Sequence, residues 1–297
     1  MILVTGASGF VGHYLTAALG SQGRALVSDL RDQAAVRSEI ADLGPITSVV
    51  HLAALSNVKA AFEHPWDCHQ VNFGGTFTLL EALKSNGFSG RFLYVSSGDV
   101  YGRVLDADLP IAEGRMPRPR NPYAASKLAA EAVCLEAAAF GQFEVVILRP
   151  FNHLGPGQST DFAVPYFASQ LARIKRGDVD GQLSVGNIDV TRDFTDVTDV
   201  VRAYLAVLDC SSSLNGQILN VCSGVERKIA DVIGQLAALL DVEVELQVDP
   251  ARQRKNEQAR VVGDCSVIHE LTGWSAITPF EKTLDSIATY WQEQEKL

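Results

Sequence analysis

A glycine-rich turn stands between a short apolar run, 1–5, and a helical pattern, 13–19, at the start of the chain. The run contains β-branched residues, as expected for a strand buried on both faces. Gly6 permits a tight turn, Gly9 permits close approach of a pyrophosphate, and Gly12 lets the helix pack on the strand. The alternative is a glycine turn without a ligand, but the strand before it and the helix after it favour a dinucleotide site at the helix N-terminus.

Strands and helices alternate along the chain, which predicts parallel βαβ units and a doubly wound, Rossmann-type α/β sheet. The predicted strands are 1–5, 24–28, 48–52, 91–96, 143–148 and 218–221, and the predicted helices include 122–140 and 70–85, the latter interrupted at 74–75. We assign 1–150 to a dinucleotide-binding domain, to which 193–222 returns. Pro150 is predicted to end the fifth strand. The elements after it are short and include a predicted strand at 242–246. We assign 151–192 and 223–297 to a smaller, partly discontinuous substrate domain.

Several polar or glycine positions lie at the ends of predicted strands or shortly after them. Gly6, Asp29 and Ser97 come directly after strands, His51 lies at the end of the third strand, and Asn152 follows the fifth. Ligands of doubly wound sheets bind beyond the carboxyl ends of the strands, so we expect these residues to gather at one edge of the sheet. A cleft between the two domains at this edge is the expected ligand site.

Two residues that follow the second predicted strand bear on the identity of the dinucleotide. Asp29 suits hydrogen bonds from the adenosine ribose, which favours NAD. Arg31 suits pairing with a 2′-phosphate, which favours NADP. The sequence therefore predicts NAD(P)H and leaves NAD and NADP as alternatives.

Tyr123 and Lys127 lie four residues apart in the predicted helix 122–140. Residues at this spacing share one face of a helix. An ammonium beside a phenol favours the phenolate and lowers the pKa of the tyrosine, which suits proton transfer near neutral pH. The spacing alone is weak, but it agrees with the glycine turn, with Asp29 and with Ser97 at the end of a strand.

Charge and composition exclude several other classes of protein. The net charge is -10 and no basic run occurs, which argues against nucleic-acid binding. No apolar run approaches the length of a membrane span, and the N-terminus lacks the pattern of a signal peptide. The five cysteines are scattered and odd in number, which predicts free thiols and a cytoplasmic protein. His64, Cys68 and His69 lie close in sequence, but Pro65 breaks the local helix geometry and no second ligand cluster follows, so we predict no metal site.

Four blocks, TGASGFVG (5–12), HLAA (51–54), SSGDVYG (96–102) and YAASK (123–127), occur in order along the chain. With these blocks the chain resembles the extended short-chain dehydrogenases/reductases that act on nucleotide sugars. The resemblance implies a homodimer formed through the helices 70–85 and 122–140. It also implies cofactor contacts from Gly6, Ser8, Gly9, Phe10, Val11, Gly12, Asp29, Arg31, Leu52, Ala53, Ala54, Tyr123, Lys127 and Pro150.

Four further blocks, 149–158, 185–189, 192–197 and 220–224, resemble the GDP-sugar branch of this family. This branch implies NAD(P)H-dependent reduction of the C4 keto group of GDP-4-keto-6-deoxy-D-mannose to GDP-D-rhamnose or its C4 epimer. The resemblance assigns the substrate contacts to Ser97, Asp99, Asn152, Asn187, Arg192, Arg254 and Glu257. Arginine suits a diphosphate because its planar fork donates paired hydrogen bonds.

The chemistry implied by the resemblance uses three side chains. Tyr123 gives a proton to the C4 oxygen, Ser97 donates a hydrogen bond to the same oxygen, and Lys127 binds the nicotinamide ribose and keeps the pKa of Tyr123 low. Sister 4,6-dehydratases need an acid/base pair directly after the catalytic serine or threonine, where this chain has Gly98 and Asp99. We therefore favour reduction over dehydration, with a nucleotide-sugar 4-epimerase as the second hypothesis and a non-enzymatic dinucleotide sensor as the third.

Overall fold

The computed structural model describes residues 1–252 and 258–294 and shows an α/β fold. The strands are β1 (Ile2–Thr5), β2 (Gly23–Ala25), β3 (Ser48–His51), β4 (Arg91–Val95), β5 (Glu144–Pro150), β6 (Asn152–Leu154), β7 (Gln182–Val185), β8 (Thr191–Asp196), β9 (Ile218–Val221), β10 (Glu226–Lys228) and β11 (Glu245–Val248). The α-helices are α1 (Phe10–Leu19), α2 (Gln33–Asp42), α3 (Val58–Glu63), α4 (Pro65–His69), α5 (Gly75–Ser85), α6 (Pro122–Phe140), α7 (Ala163–Arg176), α8 (Val197–Asp209), α9 (Ile229–Leu240), α10 (Ser266–Thr272) and α11 (Phe280–Gln294).

Six parallel strands in the order β2-β1-β3-β4-β5-β9 form the central sheet. Alternate residues of each strand point to opposite faces, as in the neighbours Leu3 and Val4 or Phe92 and Leu93, which belong to different apolar clusters. Helices α2, α5 and α6 cover one face, and α1, α8 and α10 cover the other. The prediction of a doubly wound, Rossmann-type sheet is confirmed.

A further apolar cluster, the α7–α9–α11 cluster, lies apart from the central sheet. It is built mainly from α7, α9, α11 and the strands β7 and β8, with Leu171, Leu236 and Leu284 fully buried within it. The strands of this part form two small sheets, β10-β8-β6 and β11-β7. In the range 223–297, which we assigned to the smaller domain, α10 contributes Ile268 to the core of the central sheet.

The long helix α6 begins and ends where the sequence predicts. Pro122 occupies its first turn, and the Asn121 side chain accepts a hydrogen bond from the backbone N–H of Ala124 at 2.7 Å. The helix ends before Gly141, which has a φ of 68°. These local signals place Tyr123 in the first turn of α6.

Several predicted bounds differ from the structure. The second strand ends at Ala25 rather than at 28, because the carboxylate of Glu39 accepts the N–H groups of Val27 and Ser28 at this sheet edge. The fifth strand continues through Pro150 because the next residue, Phe151, donates its N–H to Val221. The predicted strand 242–246 is shifted to β11.

The predicted interruption of helix 70–85 at Gly74 and Gly75 is wrong. A π-helical segment, Gln70–Gly74, leads directly into α5, and the backbone of both glycines is helical. A Cβ on Gly75 would lie 2.8 Å from the Cβ of Leu30. Gly75 therefore serves the close approach of this helix to the loop after β2 and does not break the helix.

Candidate active site

The glycine-rich turn has the geometry that a bound dinucleotide requires. Gly6 has a φ of 66°, and a Cβ there would lie 2.7 Å from the backbone nitrogen of Ala53. A Cβ on Gly12 would lie 2.2 Å from the carbonyl oxygen of Gly6. Gly9 caps α1, whose first turn carries no acidic side chain among the residues described. The exposed N-terminus of α1 therefore suits a pyrophosphate, and these residues fit the predicted cofactor.

The other positions predicted to contact the cofactor lie around this turn. Ala53 donates its N–H to the Thr5 hydroxyl at 3.1 Å, which joins the ends of β1 and β3. Phe10 stacks on His153 of β6 with ring centroids 6.0 Å apart. The remaining positions are the exposed Ser8, the half-buried Val11, Leu52 and Ala54, and the buried Pro150 at the end of β5.

Asp29 and Arg31 form a bidentate ion pair beyond the edge strand β2. The Arg31 Nη2 and Asp29 Oδ2 atoms are 2.6 Å apart, and about half of each side chain is exposed. Hydrogen bonds from Arg31 lower the pKa of Asp29 to about 2. Both side chains are therefore charged at neutral pH. The Asp29 carboxylate favours NAD, whereas the Arg31 guanidinium favours NADP.

Lys127 is buried behind the carboxyl end of β4. Its Nζ donates to the carbonyl oxygen of Val95 at 2.7 Å and lies 5.0 Å from the centroid of the Tyr94 ring. Only 2% of the residue is exposed, and burial lowers the pKa of Lys127 to about 8. The Lys127 ammonium is therefore held at the carbonyl oxygen of Val95, and Val95 precedes Ser97 by two residues.

Tyr123 lies beside Ser97 and Asp99. Burial and then the Asp99 carboxylate raise the pKa of Tyr123, whereas a hydrogen bond with Ser97 lowers it. We expected Lys127 to hold this pKa low, but the Lys127 Nζ bonds to Val95 instead and the net shift is upward. Tyr123 is therefore a protonated phenol at neutral pH, the state that a proton donor needs.

Two buried polar residues brace the backbone around this cluster. His51, predicted at the strand edge, bridges the hydroxyls of Thr5 and Thr76 at 2.6 and 2.9 Å, and burial lowers its pKa to about 3. Asn72, in the π-helical segment, accepts the N–H of Leu55 at 2.8 Å and donates to the Ser126 hydroxyl at 2.9 Å. Asn72 thereby ties the loop after β3 to the helix that carries Tyr123.

The residues predicted to contact the substrate are spread over several elements. Ser97 and Asp99 lie beside Tyr123, and Asn152 is exposed on β6. Asn187 is exposed in a turn, where it accepts the N–H of Asp189 at 3.0 Å. Arg192, in β8, donates to the carbonyl oxygens of Thr191 and Gln258. Arg254 and Glu257 lie outside the described residues.

One connection was not foreseen from the sequence. The Gln258 side chain donates to the carbonyl oxygen of Val104 at 2.6 Å and accepts its N–H at 3.2 Å. Gln258 thus links Arg192 to the segment that follows Ser97 and Asp99. A single glutamine in a loop gives no signal in the sequence that would predict this contact.

A doubly wound sheet, an open glycine turn and Ser97, Tyr123 and Lys127 near its edge define an NAD(P)-dependent enzyme of the Rossmann class. The chain belongs to the NAD dependent epimerase/dehydratase family, whose model matches residues 2–222. Among its residues 1–252 and 258–294, no helix is long and apolar enough to cross a membrane.

Proteins of known activity resemble the chain over nearly its whole length. It is 45% identical to GDP-6-deoxy-D-mannose reductase of Pseudomonas aeruginosa, covering 99% of this chain and 97% of that protein. Human dTDP-D-glucose 4,6-dehydratase is 30% identical over 84% of this chain and 69% of its own length. The solved structure of RMD from Pseudomonas aeruginosa in complex with NADPH has a TM-score of 0.91 at 44% identity, with 99% of both chains covered.

Proposed function

We propose that this protein reduces the C4 keto group of GDP-4-keto-6-deoxy-D-mannose with NAD(P)H and forms GDP-D-rhamnose or its C4 epimer. The observation that carries the proposal is the 45% identity to GDP-6-deoxy-D-mannose reductase over nearly the whole of both chains. The cluster of Ser97, Tyr123 and Lys127 beside the glycine turn agrees with it. We further propose that the part built on the α7–α9–α11 cluster carries the nucleotide-sugar site.

The polar groups of the cluster suit ketone reduction. A bound reduced nicotinamide supplies the hydride. Tyr123, whose pKa is raised, donates its proton to the C4 oxygen, and Ser97 donates a hydrogen bond to the same oxygen as negative charge develops there. Lys127 holds a positive charge behind the end of β4, which favours this developing charge.

The surroundings of Gly98 support reduction over 4,6-dehydration. A Cβ at Gly98 would lie 3.2 Å from the ring of Phe151, so a longer acidic side chain at 98 requires that this ring move. Asp99, the remaining carboxylate of the pair, raises the pKa of Tyr123. The positions that hold an acid/base pair in dehydratases are therefore occupied by a glycine and by an aspartate whose charge raises the pKa of the Tyr123 phenol.

The substrate assignment is tested by a panel of keto sugars. The purified protein is mixed with NADPH or NADH and with GDP-4-keto-6-deoxy-D-mannose or dTDP-4-keto-6-deoxy-D-glucose, and cofactor oxidation is followed by absorbance. We expect rapid oxidation with the GDP sugar only, with the C4 configuration of the product given by NMR. Equal rates with the dTDP sugar would contradict the assignment to GDP.

We propose that Arg31 binds the 2′-phosphate of NADPH. Replacing Arg31 with alanine should raise the KM for NADPH at least about tenfold, because a hydrogen bond to a charged group contributes roughly 1.5–3 kcal/mol. The KM for NADH should change by less than about threefold on the same scale. Arg176→Ala is the matched control, because Arg176 pairs with Asp178 at the same two-residue spacing. An unchanged KM for NADPH in Arg31→Ala would exclude this role.

We also propose a homodimer that forms through α5, α6 and the short helices before them. Large apolar side chains on these elements are exposed, with Phe62 61%, Trp66 71%, Phe73 38%, Phe77 42% and Phe140 72% accessible. Monomeric proteins rarely leave so many large apolar groups on adjacent helices in water. A second copy of the same face would cover them in a two-fold arrangement.

All five cysteines are free, which fits a reducing cytoplasm.

The dimer is tested by light scattering on the eluting protein. We expect a molar mass of twice the chain mass of 32.0 kDa, and a mass near that of one chain for Phe77→Glu. Ile277→Glu is the control, because Ile277 is 67% exposed but lies outside these helices. A single-chain mass for the unaltered protein would refute the proposed dimer.

A further inference from the structure

A buried ion pair lies directly behind the candidate active site. Arg149, in β5, donates to Glu131 of α6 through Nε at 2.9 Å and through Nη2 at 2.6 Å. The two side chains are only 3% and 2% exposed. Ser96 donates its hydroxyl to the same carboxylate at 2.5 Å. A buried charge pair is costly to form unless its hydrogen bonds are satisfied. Both carboxylate oxygens of Glu131 accept hydrogen bonds, which restricts where the partners can lie, whereas Nη1 of Arg149 has no partner among the described residues.

The pair holds both ends of the segment that carries Ser97 and Asp99. Ser96, at the start of this segment, bonds to Glu131. Tyr101, at its end, lies under Arg149, whose guanidinium carbon is 4.8 Å from the ring centroid. The Tyr101 hydroxyl continues the network to the Asn220 side chain at 2.6 Å. The residues 97–100, which include Ser97 and Asp99, therefore lie between two fixed ends.

Glu131 also belongs to the helix that carries Tyr123 and Lys127. The three residues are spaced by four along α6 and therefore lie on one face of the helix. One carboxylate thus joins that helix to the segment 96–101, while Arg149 joins both to β5. This junction therefore lies between the two elements that carry Ser97 and Tyr123.

We propose that the Glu131–Arg149 pair is a positioning device for catalysis, which sets the distance between Ser97 and the Tyr123 phenol. Glu131 and Arg149 are buried, with side chains only 2% and 3% exposed, and act through Ser96, Tyr101 and α6. The inference rests on the active site proposed above. Misplacement of reacting groups by about 1 Å costs on the order of 100-fold in rate, so a loosened junction should lower kcat more than binding.

Glu131 has a second, electrostatic effect that provides an independent readout. Its carboxylate raises the pKa of Lys127 and opposes the lowering by burial. Removing this charge should lower the pKa of Lys127 further, so the alkaline limb of the kcat profile should move to lower pH. Among the described residues, the titratable groups that face Lys127 are Glu131 and Cys134 of α6, Cys68 of α4, His51 of β3 and Tyr94 of β4.

The test compares Glu131→Gln with Glu144→Gln in the complete protein. Glu144 pairs with Arg91 at 2.6 Å and lies at the other end of β5, away from the active site. In Glu131→Gln we expect kcat to fall about 10- to 100-fold, the KM values to stay within about threefold and the alkaline limb to shift to lower pH. In Glu144→Gln we expect kcat and its pH profile to match those of the unaltered protein, even if thermal stability falls.

A milder variant keeps the inference testable if Glu131→Gln fails to fold. Ser96→Ala removes one hydrogen bond and leaves the ion pair in place, so kcat should fall about 3- to 10-fold with an unshifted pH profile. Unaltered kcat and pH profile in the folded variants would overturn the proposal, as would equal losses in the Glu131 and Glu144 variants. If Tyr123→Phe retains activity, the active-site assignment itself fails, which separates that outcome from failure of the positioning role.

Discussion

Replacing Tyr123 with phenylalanine should lower kcat for reduction of the keto sugar about 10²–10⁴-fold. The phenol is the group whose raised pKa keeps it protonated at neutral pH, and Ser97 is hydrogen-bonded to it. Phenylalanine keeps the ring and the packing but has no proton to give. Binding of NADPH, measured by fluorescence titration, should therefore stay within about threefold, since only the hydroxyl is lost.

Tyr290→Phe is the matched control for this substitution. Tyr290 lies in α11, where it packs edge-on against Trp291, and the same hydroxyl deletion there should leave kcat unchanged. A kcat in Tyr123→Phe within tenfold of the control would show that another group delivers the proton. Asp99 would then be the next residue to replace, because its carboxylate lies close enough to shift the pKa of Tyr123.

Replacing Gly12 with alanine should disrupt the glycine turn. The added Cβ would lie 2.2 Å from the Gly6 carbonyl oxygen and 2.7 Å from the backbone of Ala7, and neither contact is with a flexible side chain. Overpacking of this kind costs roughly 1–3 kcal/mol of the free energy of unfolding, and the displaced turn should lose most of its affinity for NADPH. Chemical denaturation and cofactor titration measure the two effects separately.

Gly234→Ala provides the control for this second prediction. Gly234 lies in α9, and no heavy atom of the described residues would come within 4 Å of a Cβ there beyond its own helix and chain neighbours. Alanine at an open helical position should stabilise the protein by roughly 0.5–1 kcal/mol, because glycine loses more conformational freedom on folding. Equal stability and equal NADPH affinity in both variants would contradict the proposed role of Gly12.

The central sheet was predictable because its signals are local. The apolar runs mark β1, β3, β4 and β9, and Asn121, Pro122 and Gly141 mark the ends of α6. The shortened β2 was not predictable, because it depends on the Glu39 carboxylate reaching back to the sheet edge from α2. The spacing of residues in the sequence does not show which distant side chain accepts a hydrogen bond from a backbone N–H group at the sheet edge.

The candidate site was predictable in its residue types and less so in its electrostatics. The spacing of Tyr123 and Lys127 correctly places both on α6, but the sequence does not show that the Lys127 Nζ bonds to Val95. The pKa of Tyr123 depends on its burial and on its distance from Asp99, and both are set by the folded structure and not by the spacing of residues in the sequence. The junction of Glu131 and Arg149 joins residues 18 apart in different elements, and no motif spacing indicates it.

The most direct test of the proposed reaction is deuterium transfer from NADPH that carries deuterium at both hydrogen positions of the nicotinamide C4. The protein is incubated with the labelled cofactor and GDP-4-keto-6-deoxy-D-mannose, and the product is analysed by NMR and mass spectrometry. We predict one deuterium at C4 of the sugar for each NADPH oxidised, and product formation about 10²–10⁴-fold slower with Tyr123→Phe. Epimerisation of a nucleotide hexose without NADPH oxidation, and with no deuterium in the sugar, would contradict the reductase and identify a 4-epimerase.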